Sequence, residues 1–349
     1  MKTYKSAVHI RGDCLYCPLS LSVDSYWNCL TKCLHCYTRR LNRTWGEDLR
    51  PAAPDEVRRQ LNRGLKNKNP KTPLAHALNQ KKTIRFGDRS DPYQKAELVY
   101  GISRRLQVVF IDLEWTYVIE TKFLNNLRLD EDVIEKAKEK SLIQIMPIIS
   151  PGAESDWEIL EQKKTDPIPD RLKQMKRWIE KGHVIGVNGE PFIPGYHTPA
   201  QFQAIIRRLK EIGVTSYNTY NLHFNDLVAK NLHSVGIDIE RIWYYNQDKN
   251  WRPILQKLMD IAKAEDMPLG CPDFVNTGWK WREPANTCCG IDVPNPTKFN
   301  SHMFKCLCQQ GVVPDKILQD CWDGVGTYED GMDFFTGDKT NFYGVMDIK

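Results

Sequence analysis

Three cysteines in one short run, Cys29-Leu-Thr-Lys-Cys33-Leu-His-Cys36, have the spacing of a metal loop. Gaps of three and then two residues let three thiolates converge on one face of a [4Fe-4S] cubane. Three ligands leave the fourth iron open, as catalytic zinc keeps one position free for substrate. Two blander readings compete. Structural zinc would want a fourth ligand, and His35 sits so close to Cys36 that joint chelation is strained. A ferredoxin-type carrier usually brings a fourth cysteine into the same run.

The remaining cysteines point to further metal chemistry. Cys271, Cys288, Cys289, Cys306, Cys308 and Cys321 lie in a proline-, glycine- and asparagine-rich tail, and Cys14 and Cys17 form a CxxC pair near the start. They are candidates for a second site, an auxiliary iron–sulfur cluster or structural zinc. The alternative is reduced thiols packed as small hydrophobes. An odd total of 11 cysteines fits a disulfide framework poorly.

Composition narrows the class. The chain has 349 residues, 41% hydrophobic and 27% charged, enough for a core without staples. No apolar run approaches the ~18 residues of a membrane span. The opening MKTYKSAVHIRGD lacks the apolar segment of a secretory signal, so a cytoplasmic location is expected. A net charge of +5 is compatible with a nucleic-acid partner without requiring one. Neither a GxGxxG after a strand nor a GxxxxGK[ST] loop is present, which argues against a built-in flavin, nicotinamide or nucleotide site.

The elements around the cysteine loop alternate. Strands are expected at 22–27, 83–86, 117–121, 142–149, 183–187 and 214–219. Helices are expected at 54–65, 93–106, 130–140, 170–180, 199–212, 225–232 and 253–264. Six strands interleaved with helices predict a parallel sheet with crossover helices. The natural form is a partial (β/α)6 TIM-like barrel, whose reactive end is built by loops after the strands. The chain divides into an N-terminal extension (1–21), the barrel (22–268) and a cysteine-rich irregular C-terminal module (269–349).

Cx3CxxC after the first strand resembles the signature of the radical S-adenosylmethionine (SAM) superfamily. Phe86-Gly-Asp-Arg-Ser-Asp-Pro-Tyr-Gln94, Glu120-Thr-Lys122, Ile148-Ile-Ser150, Leu160-Glu161, Arg171 and Glu190-Pro-Phe-Ile-Pro-Gly195 extend the likeness to the spore photoproduct lyase-like branch, over about residues 22 to 220. The resemblance implies that a cluster on Cys29, Cys33 and Cys36 reductively cleaves SAM to a 5′-deoxyadenosyl radical that abstracts a substrate hydrogen. It places Ser90, Lys122 and Ser150 at the polar end of SAM, with His35 and Tyr37 beside the cofactor; a compact ammonium suits a carboxylate there. It also implies an external flavodoxin- or ferredoxin-type reductant.

One departure limits the carry-over. The branch has a hydrogen-donating cysteine two residues before the serine aligned with Ser90, and this chain has Asp88 there. Thymine-dimer repair by that route is therefore not expected. Asp88 and Tyr37 are left as candidate catalytic groups. The substrate expected from the branch is a nucleobase in DNA or RNA, an argument by analogy. A peptide or small metabolite is one alternative; a zinc- or cluster-stabilised nucleic-acid-binding protein is another. Trp243-Tyr-Tyr245, Trp251, Trp279 and Trp281 either stack bases or fill a core seam. His197, His223 and His233 read as satisfied histidines.

Overall fold

The computed structural model describes residues 3–10, 19–38, 48–270, 296–297 and 299–300. All eight candidate ligands of a second metal site, Cys14 and Cys17 with the six tail cysteines, lie outside the described residues, as do Trp279 and Trp281.

In chain order the strands are β1 (Val8–Ile10), β2 (Leu21–Val23), β3 (Tyr26–Trp27), β4 (Arg50–Pro51), β5 (Ile84–Phe86), β6 (Tyr117–Thr121), β7 (Ile143–Pro147), β8 (Gly186–Asn188), β9 (Ser216–Asn218) and β10 (Leu269–Gly270). One sheet runs β1-β2-β5-β6-β7, and a second runs β8-β9-β10. Single parallel bridges, Ile145 to Ile185 and Ile148 to Asn188, join β7 to the β8 segment. Within the first sheet the neighbours from β2 onward are parallel, with Leu21 beside Ile84, Ile84 beside Tyr117 and Tyr117 beside Ile143, while β3 and β4 form a separate antiparallel pair. The result is the mixed α/β architecture with a parallel-strand sheet that the alternation predicts. Parallel strands bring all their C-terminal ends to one side, where the following loops meet.

Local chemistry sets the helix starts. Pro54 opens α1 (Pro54–Leu65), followed by Asp55 and Glu56 in the first turn. Thr198 and Gln201 form a reciprocal capping box on the helix Pro199–Glu211. Asn225 caps the helix Asp226–His233 through two backbone N–H groups.

Several boundaries differ from the sequence pattern for identifiable reasons. The expected first strand breaks into β2 and β3 at Asp24 and Ser25, because the buried Asp24 carboxylate accepts the backbone N–H groups of Arg89 and Ser90. The expected helix 93–106 is two pieces, Glu97–Tyr100 and Ile102–Asp112, divided at Gly101 with φ +58°. Pro253 lies inside the long helix Asp248–Ala264 instead of opening it. Short helices at Pro73–Asn79, Glu154–Ile159 and Ile239–Asn246 carry too few turns to show a period. The sheet also takes strands from both flanking segments: β1 pairs antiparallel with β2, and β10 pairs parallel with β9.

The main core lies between the first sheet and its helices. Phe110 meets Phe86 edge-on at 5.4 Å and Tyr117 at 5.1 Å, all three fully buried. This contact fixes β5 and β6, the strands that end in the cavity described below. Phe110→Ala is expected to lower stability by about 3–5 kcal/mol, read by urea unfolding of the purified protein.

Candidate functional site

Loops after β3, β5, β6, β7, β8 and β9 line one cavity, with about 930 Å³ of empty space including its open mouth. Cys29, Cys33 and Cys36 all line it. The three are free thiols, and each sulfur has its own hydrogen-bond partner. Cys29 pairs with the Thr31 hydroxyl at 3.3 Å, Cys36 with the Thr38 hydroxyl at 2.9 Å, and Cys33 accepts from the Lys122 ammonium at 3.8 Å. Burial pushes the Cys29 thiol up to about 11 and Cys33 up to about 12, so an added cation is needed to hold them as thiolates. Among the described residues, no three His, Cys, Asp or Glu side chains converge on a point that would hold a single metal ion. Three thiols lining one cavity, each with a neighbouring group to hydrogen-bond its sulfur, fit the ligand set of an iron–sulfur cluster.

Lys122 follows β6, and its own backbone N–H donates to Asp91 at 2.7 Å. Its ammonium reaches Glu161 at 2.9 Å and His35 Nε2 at 3.3 Å, besides Cys33. Glu161 in turn holds Arg171 and the Thr165 hydroxyl, and Arg171 donates to the Ile148 carbonyl at 2.8 Å. Burial alone would raise the Glu161 carboxyl, but Arg171 and Lys122 hold it well below the usual range. Burial, reinforced by Lys122, pushes His35 down to about 3, so its ring is neutral.

Asp88 sits on the cavity wall, 3.3 Å from His9 Nε2 and 3.8 Å from Arg85 Nε. Tyr37 lines the mouth and stacks on His223 at 4.4 Å, with Tyr220 on His223 at 4.8 Å. Ser90 also lines the cavity, its hydroxyl donating to the Tyr26 carbonyl at 2.8 Å. Ser150 does not line it; its hydroxyl donates to Asp156. Asp156 accepts as well from Gly152 N–H at 3.1 Å and His197 Nε2 at 2.8 Å, while His197 Nδ1 accepts from Ile193 N–H at 2.8 Å. His197 is thus the satisfied histidine expected. His223 instead forms part of the wall, and His233 is exposed on its helix.

The floor joins Glu120, already part of the family likeness, to Arg85 and Asn188, which the sequence pattern did not single out. Arg85 pairs with Glu120 at 2.6 Å, and Asn188 donates to the same carboxylate at 3.4 Å, all three buried. They come from β5, β6 and β8. Arg85 had one legible signal, a charge between Ile84 and Phe86 in a buried strand. Gly87 is needed beside them: with φ +105°, an added Cβ would lie 2.7 Å from the Glu120 carbonyl oxygen.

No protein-family model matches the sequence, and no curated protein matches it. The fold does have solved counterparts. SuiB from Streptococcus suis, in its crystal structure bound to S-adenosylmethionine, superposes with a TM-score of 0.50 at 13% identity, covering 73% of this chain and 50% of that one. A second SuiB structure gives a TM-score of 0.48 at 13% identity, with 73% and 49% covered. The chain is thus an α/β protein that shares its fold with SuiB and spans about half of SuiB's length. Among the described residues, no helix is long and apolar enough to cross a membrane.

Asp156 ties the loop after β7 to His197, so Asp156→Ala is expected to cost about 3 kcal/mol, as removal of one buried charged partner does. Glu154→Ala, which breaks a half-exposed pair with Arg208, is expected to cost under ~1 kcal/mol. His197 and Ser150 outweigh the burial that would raise the Asp156 carboxyl, and its folded value lies below the ordinary one. Its contribution is therefore complete above about pH 4 and drains as pH falls further. Urea titrations of wild type and Asp156→Asn from pH 3 to 7 check this; the variant should lack that acid loss.

Proposed function

We propose that this chain is a radical SAM enzyme of the spore photoproduct lyase-like branch, built on a partial (β/α)6 barrel and acting on a nucleobase in DNA or RNA. The observation that carries the reading is the meeting of three separately hydrogen-bonded thiols in one cavity at the strand ends. A fold shared with SAM-bound SuiB supports it. When bound, the [4Fe-4S] cluster and SAM supply an electron-triggered radical able to take hydrogen from unactivated carbon, with the electron coming from a flavodoxin- or ferredoxin-type carrier.

The protein's part is to bind, orient and exclude water. Cys29, Cys33 and Cys36 hold the cluster. Thr31 and Thr38 hydrogen-bond two of the sulfurs. His35, Ser90 and Tyr37 face the space next to them, where SAM lies in this reading. Ser150 serves the site indirectly: through Asp156 it fixes the loop after β7. The Arg85–Glu120–Asn188 floor offers donors and acceptors to a polar substrate, and the Tyr37–His223–Tyr220 wall offers ring faces. Asp88 is a carboxyl group with no readily released hydrogen atom, so its role on the wall is polar.

A nucleic-acid substrate finds support at the mouth. Trp243 and Tyr244 are 43% and 52% exposed on the helix Ile239–Asn246, whose Asn246 donates to the cavity-lining Leu222 carbonyl at 3.0 Å. Trp251, by contrast, is core, packed on Phe192 at 5.6 Å.

Anaerobic reconstitution with iron and sulfide should give a brown protein that forms 5′-deoxyadenosine from SAM and dithionite. Cys33→Ala should lose both colour and product, by absorbance and mass spectrometry; a colourless wild type would sink the reading. Binding of a single-stranded oligonucleotide should weaken steeply with salt, and Trp243→Ala should weaken it by about 1–3 kcal/mol. Salt-insensitive or absent binding would remove nucleic acid as the substrate.

A further inference from the structure

The single helical turn Glu97–Tyr100 has its polarity inverted. Its one charged residue, Glu97, is buried, while its three apolar residues face water: Leu98 is 58% exposed, Val99 77% and Tyr100 38%. Local bonding enforces the inversion. The Glu97 carboxylate accepts from the Tyr26 hydroxyl and from the backbone N–H groups of Ile102 at 3.0 Å and Arg104 at 3.2 Å. Turning the carboxylate outward would break all three bonds, so the apolar residues are held outward. Three consecutive exposed apolar residues are disfavoured on a surface that meets only water.

This strip is stitched to the cysteine loop. The Gln94 side chain accepts from the Leu30 N–H at 2.7 Å and donates to the Asn28 carbonyl at 3.1 Å. Along that loop Cys29, Thr31, Cys33 and His35 line the cavity, whereas Leu30 and Lys32 between them do not, and Leu30 is 42% exposed. The loop therefore has an inner face that carries sulfurs and an outer face joined through Gln94 to the apolar strip. Charge on this side has one sign. From Gln94 to Arg105 the chain carries three cations and a single carboxylate, the buried Glu97. Arg104 is taken by Asp132 at 2.6 Å. Lys95 is exposed, and exposed Arg105 rests on the carbonyls of Tyr100 at 3.0 Å and Gly101 at 3.2 Å, so both present positive charge to solvent.

We propose that Leu30, Leu98, Val99 and Tyr100, together with Lys32, Lys95 and Arg105, form the docking surface for a small acidic electron-carrier protein. This rests on the reading of Cys29, Cys33 and Cys36 as cluster ligands. A carrier has to approach from outside the cavity, which is reserved for SAM and substrate, and the exposed outer face of the cysteine loop is open to it. One electron passes from the reduced carrier to the oxidised cluster, and no covalent bond or proton moves. Four apolar side chains fall short of the ~1,200–2,000 Å² that a stable complex buries; they suit a transient electron-transfer contact guided by opposite charge.

The test compares full-length wild type with Val99→Glu and, as a second variant, Lys95→Glu. Calorimetry gives the Kd for a bacterial flavodoxin and for a bacterial ferredoxin, with and without reconstituted cluster. Stopped-flow absorbance near 400 nm follows cluster reduction by each prereduced carrier and by dithionite. At least one carrier should bind wild type, more weakly as salt rises. Each substitution should raise that Kd by about tenfold or more and slow carrier-driven reduction by a similar factor. Reduction by dithionite and the urea midpoint should stay as in wild type. Absence of binding by both carriers, or binding that both variants retain, overturns the inference. So does a dimer, seen by sedimentation, that Val99→Glu dissociates while the carrier Kd is unchanged. A large fall in the urea midpoint of Val99→Glu also overturns it, since an exposed site tolerates that change and a site covered by the chain itself does not. Failure of the underlying reading shows separately, as a wild type that takes up no iron whether or not it binds a carrier.

Discussion

A buried chain of alternating charge, Arg171–Glu161–Lys122, runs from the segment after β7 to the cysteine loop. Isolated charges at this depth would be strongly disfavoured, and each is tolerated because its neighbour carries the opposite sign. A buried pair adds little net stability compared with an apolar pair of the same shape. What it adds is direction, because guanidinium and carboxylate accept few geometries. Here the direction points at Cys33. The Ile148 carbonyl, the Thr165 hydroxyl and the Asp91 carboxylate are all drawn into holding it.

The parallel sheet makes that arrangement affordable in conformational terms. Strands such as β6 and β7 are buried throughout, so their ends are rigid platforms for Lys122 and for the segment carrying Ser150. The loops are then stitched by carboxylates that accept backbone N–H groups: Asp24 for the loop after β5, Asp91 for the end of β6, Asp156 for the loop after β7. Burial raises Asp24 and Asp91 to about 6, and their hydrogen bonds and neighbouring cations resist that rise. Polar residues in irregular backbone are doing the work that apolar residues do in the sheet.

Parts of this were legible without coordinates. The spacing of Cys29, Cys33 and Cys36 is local, so one short loop was enough to show convergence. The strand and helix alternation is a periodic signal, and six of the strands appear near their expected places. The split of the first strand at Asp24 was not legible, since its cause is an acceptor role toward Arg89 and Ser90, some 65 residues away. Neither was the fate of Ser150, whose hydroxyl is taken by Asp156 only because α-helical residues 154–159 fold back over it. Arg85 was visible only as a charge inside a buried strand, and its partners Glu120 and Asn188 come from β6 and β8.

The sequence by itself determined which donors are available and how closely three of them follow one another, because residue type and spacing are properties of the chain. It also determined the strand order of the parallel sheet, since short crossovers bring successive strands side by side. Only the tertiary structure decided which partner each polar group takes. Lys122, Asp156 and Arg85 each had several candidates within the sequence, and the choice fell to whichever acceptor or donor the packed strands held within about 3 Å, where a desolvated charge must be satisfied.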